Sequence, residues 1–133
     1  MSKAMQVGDK VSMHKVFTEE EVEEFAKIST DRNPIHLDAE FAAATVFGQR
    51  IVHGMLVASL FSGLLGRELP GEGSVYLGQS LSFKAPVPIG ARVTASVEVV
   101  HIREDKPIVT LRTLCVNDDL EVVIEGEAVV KAS

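Results

Sequence analysis

The sequence predicts an α+β fold in which a curved antiparallel sheet wraps one buried helix, and three observations point there. Helical periodicity is confined to the first half of the chain. The second half switches to a period of two. Between them, residues 54–65 read Gly-Met-Leu-Val-Ala-Ser-Leu-Phe-Ser-Gly-Leu-Leu, apolar almost all round. With 133 residues and 46% hydrophobic content, the chain is expected to be one domain, 1–133, with a genuine core.

Residues 7–16, with Val11 and Met13 facing one way, supply a first strand. A helix opens at Thr18, whose spacing to Glu21 makes a capping box, and Phe17 can staple onto Val22. Val22, Phe25, Ala26 and Ser29 recur at helical spacing beside Ile28, and Glu19, Glu20 and Glu21 occupy the turn where the helix dipole favours negative charge. Pro34 pushes Asn33 out of the helical region, so residues 31–36 are expected as a loop or irregular turn. Asp38 caps a second, short helix through Phe41 and Ala44, ended by Gly48.

The apolar helix of residues 54–65, ended by Gly66, is expected to be buried on every side. It is too short for a bilayer, which needs about 20 apolar residues, so protein must bury it. Val75, Leu77, Leu81, Phe83 and Ala85 then alternate with polar neighbours as a half-buried strand that Pro86 and Pro88 end. Val93, Ala95, Val97 and Val99 repeat the pattern, and the doubled Val99-Val100 marks a bulge. Turns at 104–107 and 117–119 separate two further β-rich runs, 108–116 and 120–130. A bent sheet around a central helix is the hot-dog arrangement, and its unpaired edges predict a symmetric homodimer.

A formal net charge of −6 with no Lys/Arg cluster argues against nucleic-acid binding. It also opposes long-range attraction of a polyanion, leaving Arg50, Arg67, Lys84, Arg103 and Lys106 as candidates for a local basic patch. No stretch reads as a membrane span, and the start has Lys3 but no apolar run behind it, so a cytoplasmic location is expected. Cys115, the single cysteine, falls in an alternating apolar run and reads as a buried structural thiol. His14, His36, His53 and His101 show no metal-ligand spacing, and no metal is expected.

The strongest functional signal is Asp31-Arg32-Asn33-Pro34-Ile35-His36, which sets a carboxylate and an imidazole on one proline-braced segment. From spacing alone, Asp31 as a turn cap and His36 as a surface histidine is an equally good account. Ile51-Val52-His53-Gly54-Met55 leads into the buried helix, and Gly78-Gln79-Ser80-Leu81-Ser82-Phe83 with Pro86-Val87 follows it. Through these segments the chain resembles, over nearly its full length, the MaoC-like (R)-specific enoyl-CoA hydratases. The short stand-alone enzymes of polyhydroxyalkanoate synthesis are the most similar. The family's Asp-x-Asn-Pro-x-His motif is matched without a departure.

The resemblance implies (R)-specific hydration of trans-2-enoyl-CoA, with Asp31 and His36 as the catalytic dyad and coenzyme A entering only as part of the substrate, with no separate cofactor. Water must lose a proton as its oxygen attacks Cβ, and Cα must gain one, which two groups sharing one water can manage. Imidazole, with an ordinary pKa of roughly 6.5, exchanges protons at neutral pH. Negative charge on the thioester oxygen needs donors, and the resemblance puts an oxyanion-hole glycine at Gly54, heading the buried helix. Close helix–sheet packing is the other account of Gly54. The resemblance also assigns Ser62, Leu65 and Val130 to the acyl pocket, against a plain core role with the Ser62 hydroxyl bonded back to Ala58. Mid-sized Leu65 and Val130 suggest short acyl chains. His53 is left outside the catalytic set as a helix-start histidine bonded to backbone. A hot-dog acyl-CoA thioesterase and a non-catalytic acyl-thioester-binding module are the competing functions.

Overall fold

The computed structural model describes residues 4–133. Strand β1 (Lys10–Val16) is followed by four helices, α1 (Glu19–Ser29), α2 (Pro34–Leu37), α3 (Ala39–Ala43) and α4 (Gly54–Arg67). Five strands complete the chain: β2 (Val75–Gln79), β3 (Ser82–Phe83), β4 (Arg92–Ile102), β5 (Ile108–Asn117) and β6 (Val122–Lys131). All pairings are antiparallel, in the order β1-β4-β5-β6-β2, with β3 also on β6. The inward residues Val93, Ala95, Val97, Val99, Val109, Leu111, Cys115, Ile124, Ala128 and Val130 form one core with Val57, Leu60, Phe61, Leu64 and Leu65 of α4. This is the helix-in-sheet arrangement the periodicities predict. Among the described residues, no helix is long and apolar enough to cross a membrane.

The capping box is formed: the Glu21 amide donates to Thr18 Oγ1 at 3.1 Å, and the Thr18 amide to Glu21 Oε1 at 3.0 Å. The β4 bulge is present as a register shift between Val99 and His101. Five expectations need correction. Residues 34–37 are a helical turn and not an irregular loop, because Asn33 Oδ1 caps it from the Ile35 amide at 3.1 Å and Pro34 takes the first position, where its ring is preorganised. Gly48, at φ +70°, follows a turn beyond α3 and does not end that helix, and α4 runs through Gly66 to Arg67.

Helix α4 is also not buried all round in the single chain. The sheet covers one face only, leaving Met55, Ser59, Ser62, Gly63 and Gly66 exposed. Finally, the strand read across Val75 to Ala85 splits into β2 and β3, and Val75, Tyr76 and Leu77 are all about half exposed. A register shift between Tyr76 and Gly78 breaks the alternation. The segment between the two strands then crosses directly over β6, where a Cβ at Gly126 would lie 1.9 Å from the Ser80 carbonyl oxygen. Only glycine admits that crossing.

Candidate active site

The turn that carries Asp31 is set by local chemistry. Helix α1 ends at Thr30, whose φ of +66° swings the chain away, and the Asp31 amide donates to Ser29 Oγ at 3.1 Å. Asp31 Oδ1 accepts the Asn33 amide at 3.2 Å, which leaves Oδ2 facing His36 Nε2 at 3.8 Å. His36, buried on α2, is pinned from its other edge by the Ile51 carbonyl, 2.8 Å from Nδ1. A carbonyl accepts only, so Nδ1 carries a proton, and the tautomer this selects presents its Nε2 lone pair to Asp31.

The carboxylate borders a cavity of about 460 Å³ whose walls are mostly apolar, including Phe47, Val57, Phe83, Val87 and Ile124. Asp31 and Lys84 are the charged residues of that lining. Lys84 is thus the one residue of the five basic candidates placed at this cavity, and it is itself 3.8 Å from Glu125, as Arg50 is paired with Glu19 and Arg103 with Asp105. The N-terminus of α4 opens into the same space through Gly54 and Met55, whose amides precede the first intrahelical acceptor. Gly54 also packs tightly. An added Cβ would lie 2.7 and 2.8 Å from two atoms of the Phe83 ring, so both accounts of this glycine hold.

Asp31 and Gly54 therefore share this cavity, and His36, which is not in its lining, joins them through the 3.8 Å approach of its Nε2 to Asp31 Oδ2. Ser62, Leu65 and Val130 are not part of this cavity's lining: Ser62 is exposed on the outer face of α4, and Leu65 and Val130 are 2% and 1% exposed in the core. The hydroxyl that bonds back within α4 is that of Ser59, to the Leu56 carbonyl at 2.5 Å, not that of Ser62. The sequence reading missed Phe47, Met55 and Phe83 as cavity residues and had Lys84 only as one of five basic candidates. The motif segments 51–55 and 78–83 offered a signal for Met55 and Phe83.

His53, set aside on sequence, lies at the centre of the site. Its ring stacks on His36 with centroids 3.8 Å apart, and its Nε2 is 3.0 Å from the Asp31 carbonyl oxygen. Burial pushes its pKa down, against a smaller upward pull from the hydrogen bond to the Asp31 backbone. Asp31, His36 and His53 do offer three ligand atoms within 4.8 Å of one another. The cluster is nevertheless poorly built for a metal, because the two rings lie only 25° from parallel, so their lone pairs do not converge, and His53 Nε2 is committed to a carbonyl.

The MaoC like domain, as a sequence family, matches residues 3–118. The chain belongs to the MaoC-like family. It is 57% identical to an (R)-specific enoyl-CoA hydratase from Aeromonas caviae, covering 98% of this chain and 97% of that protein. A second MaoC-like relative, an (R)-specific enoyl-CoA hydratase from Rhodospirillum rubrum, is 48% identical over 92% of this chain and 85% of its own length. Among solved structures, an (R)-hydratase from A. caviae involved in PHA biosynthesis superposes with a TM-score of 0.97 at 56% identity, covering 98% of this chain and 99% of that one. The fold is the hot-dog fold of these MaoC-like hydratases.

Proposed function

We propose that this chain adds water to trans-2-enoyl-CoA to give (R)-3-hydroxyacyl-CoA, with Asp31 and His36 as the catalytic pair and Gly54 as the oxyanion donor. One observation carries the assignment. Two proton acceptors, Asp31 Oδ2 and His36 Nε2, face each other at 3.8 Å beside a helix N-terminus that opens into the same apolar cavity. Atoms so spaced can both accept from one water: with legs of about 2.8 Å, the angle at its oxygen is about 85°, workable for its two O–H bonds.

As that oxygen attacks Cβ, one O–H bond breaks and its proton passes to the pair. The double-bond electrons move onto the thioester oxygen, where the Gly54 amide and the positive end of α4 stabilise the developing charge. Proton return to Cα completes the addition. Dehydration is the same path reversed.

The (R) configuration and the coenzyme A carrier follow the relatives at 57% and 48% identity, and the supply of polyhydroxyalkanoate monomers follows the Aeromonas structure. We read residues 1–133 as one hot-dog domain and the working enzyme as a cytoplasmic homodimer. The exposed Val75, Tyr76 and Leu77 on an edge strand, and the bare face of α4, are apolar surface that a second copy would cover. A short acyl pocket formed by Ser62, Leu65 and Val130 rests on the resemblance alone, since Leu65 and Val130 are core residues and Ser62 lies on the outer face of α4.

The test is the ultraviolet absorbance of crotonyl-CoA, run beside Asp31→Asn, His36→Gln and a free-thiol assay. Loss of the conjugated band without thiol, abolished in both variants, is expected. An unchanged band would remove this reading, and thiol release would make the chain a thioesterase. A sedimentation mass of one chain, or equal turnover of four-carbon and long-chain substrates, would remove the dimer or the short pocket.

A further inference from the structure

The steps above use neither the ring nitrogens nor the face of His53, although that side chain touches both members of the pair. It is 2% exposed, meets Phe25 edge-on at 4.9 Å and stacks on His36 at 3.8 Å. Because Nε2 lies 3.0 Å from a carbonyl oxygen, Nε2 carries the proton and Nδ1 is left as a bare lone pair. That Nδ1 is buried without a partner among the described residues. An unpaired buried acceptor is costly, and an aliphatic or phenyl side chain would fill the same space without it. A polar ring here is worth its cost only through what its donor and its face do.

We propose that His53 is a positioning residue for the hydration, fixing the Asp31 backbone through its Nε2–H and the plane of the His36 imidazole through its face. This rests on the reading of Asp31 and His36 as the acting pair. Each needs the support. Asp31 follows the left-handed Thr30, and the bond from His53 anchors its carbonyl. His36 is hydrogen-bonded at one edge only, which leaves its plane free to tilt about that bond until a flat neighbour blocks it.

Neutrality matters as well. His36 becomes cationic whenever it holds the transferred proton, and a second imidazolium stacked on it would oppose that state. Burial pushes the His53 pKa down and so favours its neutral form, and the charged residues of the cavity lining are Asp31 and Lys84, the latter 3.8 Å from Glu125.

Three variants separate positioning from packing. His53→Gln keeps an N–H near the Nε2 position without the ring, His53→Phe keeps the face without the donor, and His53→Leu keeps neither. Steady-state crotonyl-CoA hydration across pH 5.5–8.5 is measured beside thermal melting and Asp31→Asn. Loss of alignment at the reacting atoms predicts that His53→Leu lowers kcat about 30-fold with KM within about threefold, and that the other two fall between it and the parent. The ranking of kcat is expected to depart from that of the melting temperatures. A kcat for His53→Leu within threefold of the parent would overturn the proposal, as would losses that follow the melting temperatures across all variants. If His53→Leu fails to fold, Gln and Phe variants that both retain parental kcat would overturn it equally. Full turnover by Asp31→Asn would instead remove the dyad reading on which it stands.

Discussion

Gly54→Ala separates the two demands placed on one residue. The new Cβ would arrive 2.7 Å from the Phe83 ring, inside contact distance, so that ring must move. Phe83 is already 52% exposed, and a fully buried phenylalanine is worth roughly 1.5–3 kcal/mol, so displacing it forfeits about 1 kcal/mol. Replacing glycine by alanine in a helix returns up to about 1 kcal/mol through lower chain entropy. The two effects nearly cancel, and a melting shift of no more than about 4 °C is expected for a chain of this size.

Catalysis has no such compensation. The methyl group and the displaced ring both crowd the amide proposed to receive the thioester oxygen, and losing one oxyanion donor costs about 10²–10³ in rate. Crotonyl-CoA hydration by Gly54→Ala is therefore expected to fall at least about 100-fold in kcat/KM while the fold persists, as read by absorbance and by melting. Activity within threefold of the parent would refute the oxyanion role. A collapse of the fold would refute the cancellation.

Gly126→Ala should behave in the opposite sense, because its Cβ meets the Ser80 carbonyl oxygen at 1.9 Å and backbone cannot swing aside; a loss of at least about 3 kcal/mol is expected in urea unfolding. An unchanged midpoint would mean that the crossing over β6 is not as described. Burial pushes the Cys115 thiol up to about 12, so a thiol reagent at pH 8 should label the protein only after denaturation, and rapid labelling of the native chain would contradict its place in the core. His53 has a lowered pKa, so the unfolded chain binds its proton first as pH falls. Its contribution is fully present above the ordinary value near 6.5 and is lost below it. The urea midpoint of the parent should accordingly drop more steeply from pH 7 to pH 5 than that of His53→Gln, and equal slopes would show that the buried ring titrates normally.

Elements whose signal is carried by near neighbours in the chain were legible. Thr18 with Glu21, and Asp38 with its two amides, are each solved within four residues. The inward row Val93, Ala95, Val97 and Val99 declared its face by period alone, and the motif from Asp31 to His36 pointed by resemblance to the pair proposed here as catalytic. One failure was local, since Asn33 caps Ile35 and Pro34 starts a helical turn where an irregular loop was expected; another had its cause far away in sequence. Strand β2 lost its alternation to a crossing over Gly126, and Gly66 did not stop α4 although glycine permits a stop.

What the sequence determined by itself is the local chemistry: caps, strand faces, the buried thiol, and a carboxylate and imidazole on one braced turn. Tertiary structure alone decided which tautomer His36 holds, since the carbonyl that fixes it belongs to Ile51. It also decided that Phe83 lies on Gly54, that one face of α4 stays bare in the single chain, and that His53 lies under the dyad. The physical reason is that hydrogen bonds and ring contacts are set by distance in space. Residues far apart in the chain carry no mutual pattern until the sheet and α4 have packed.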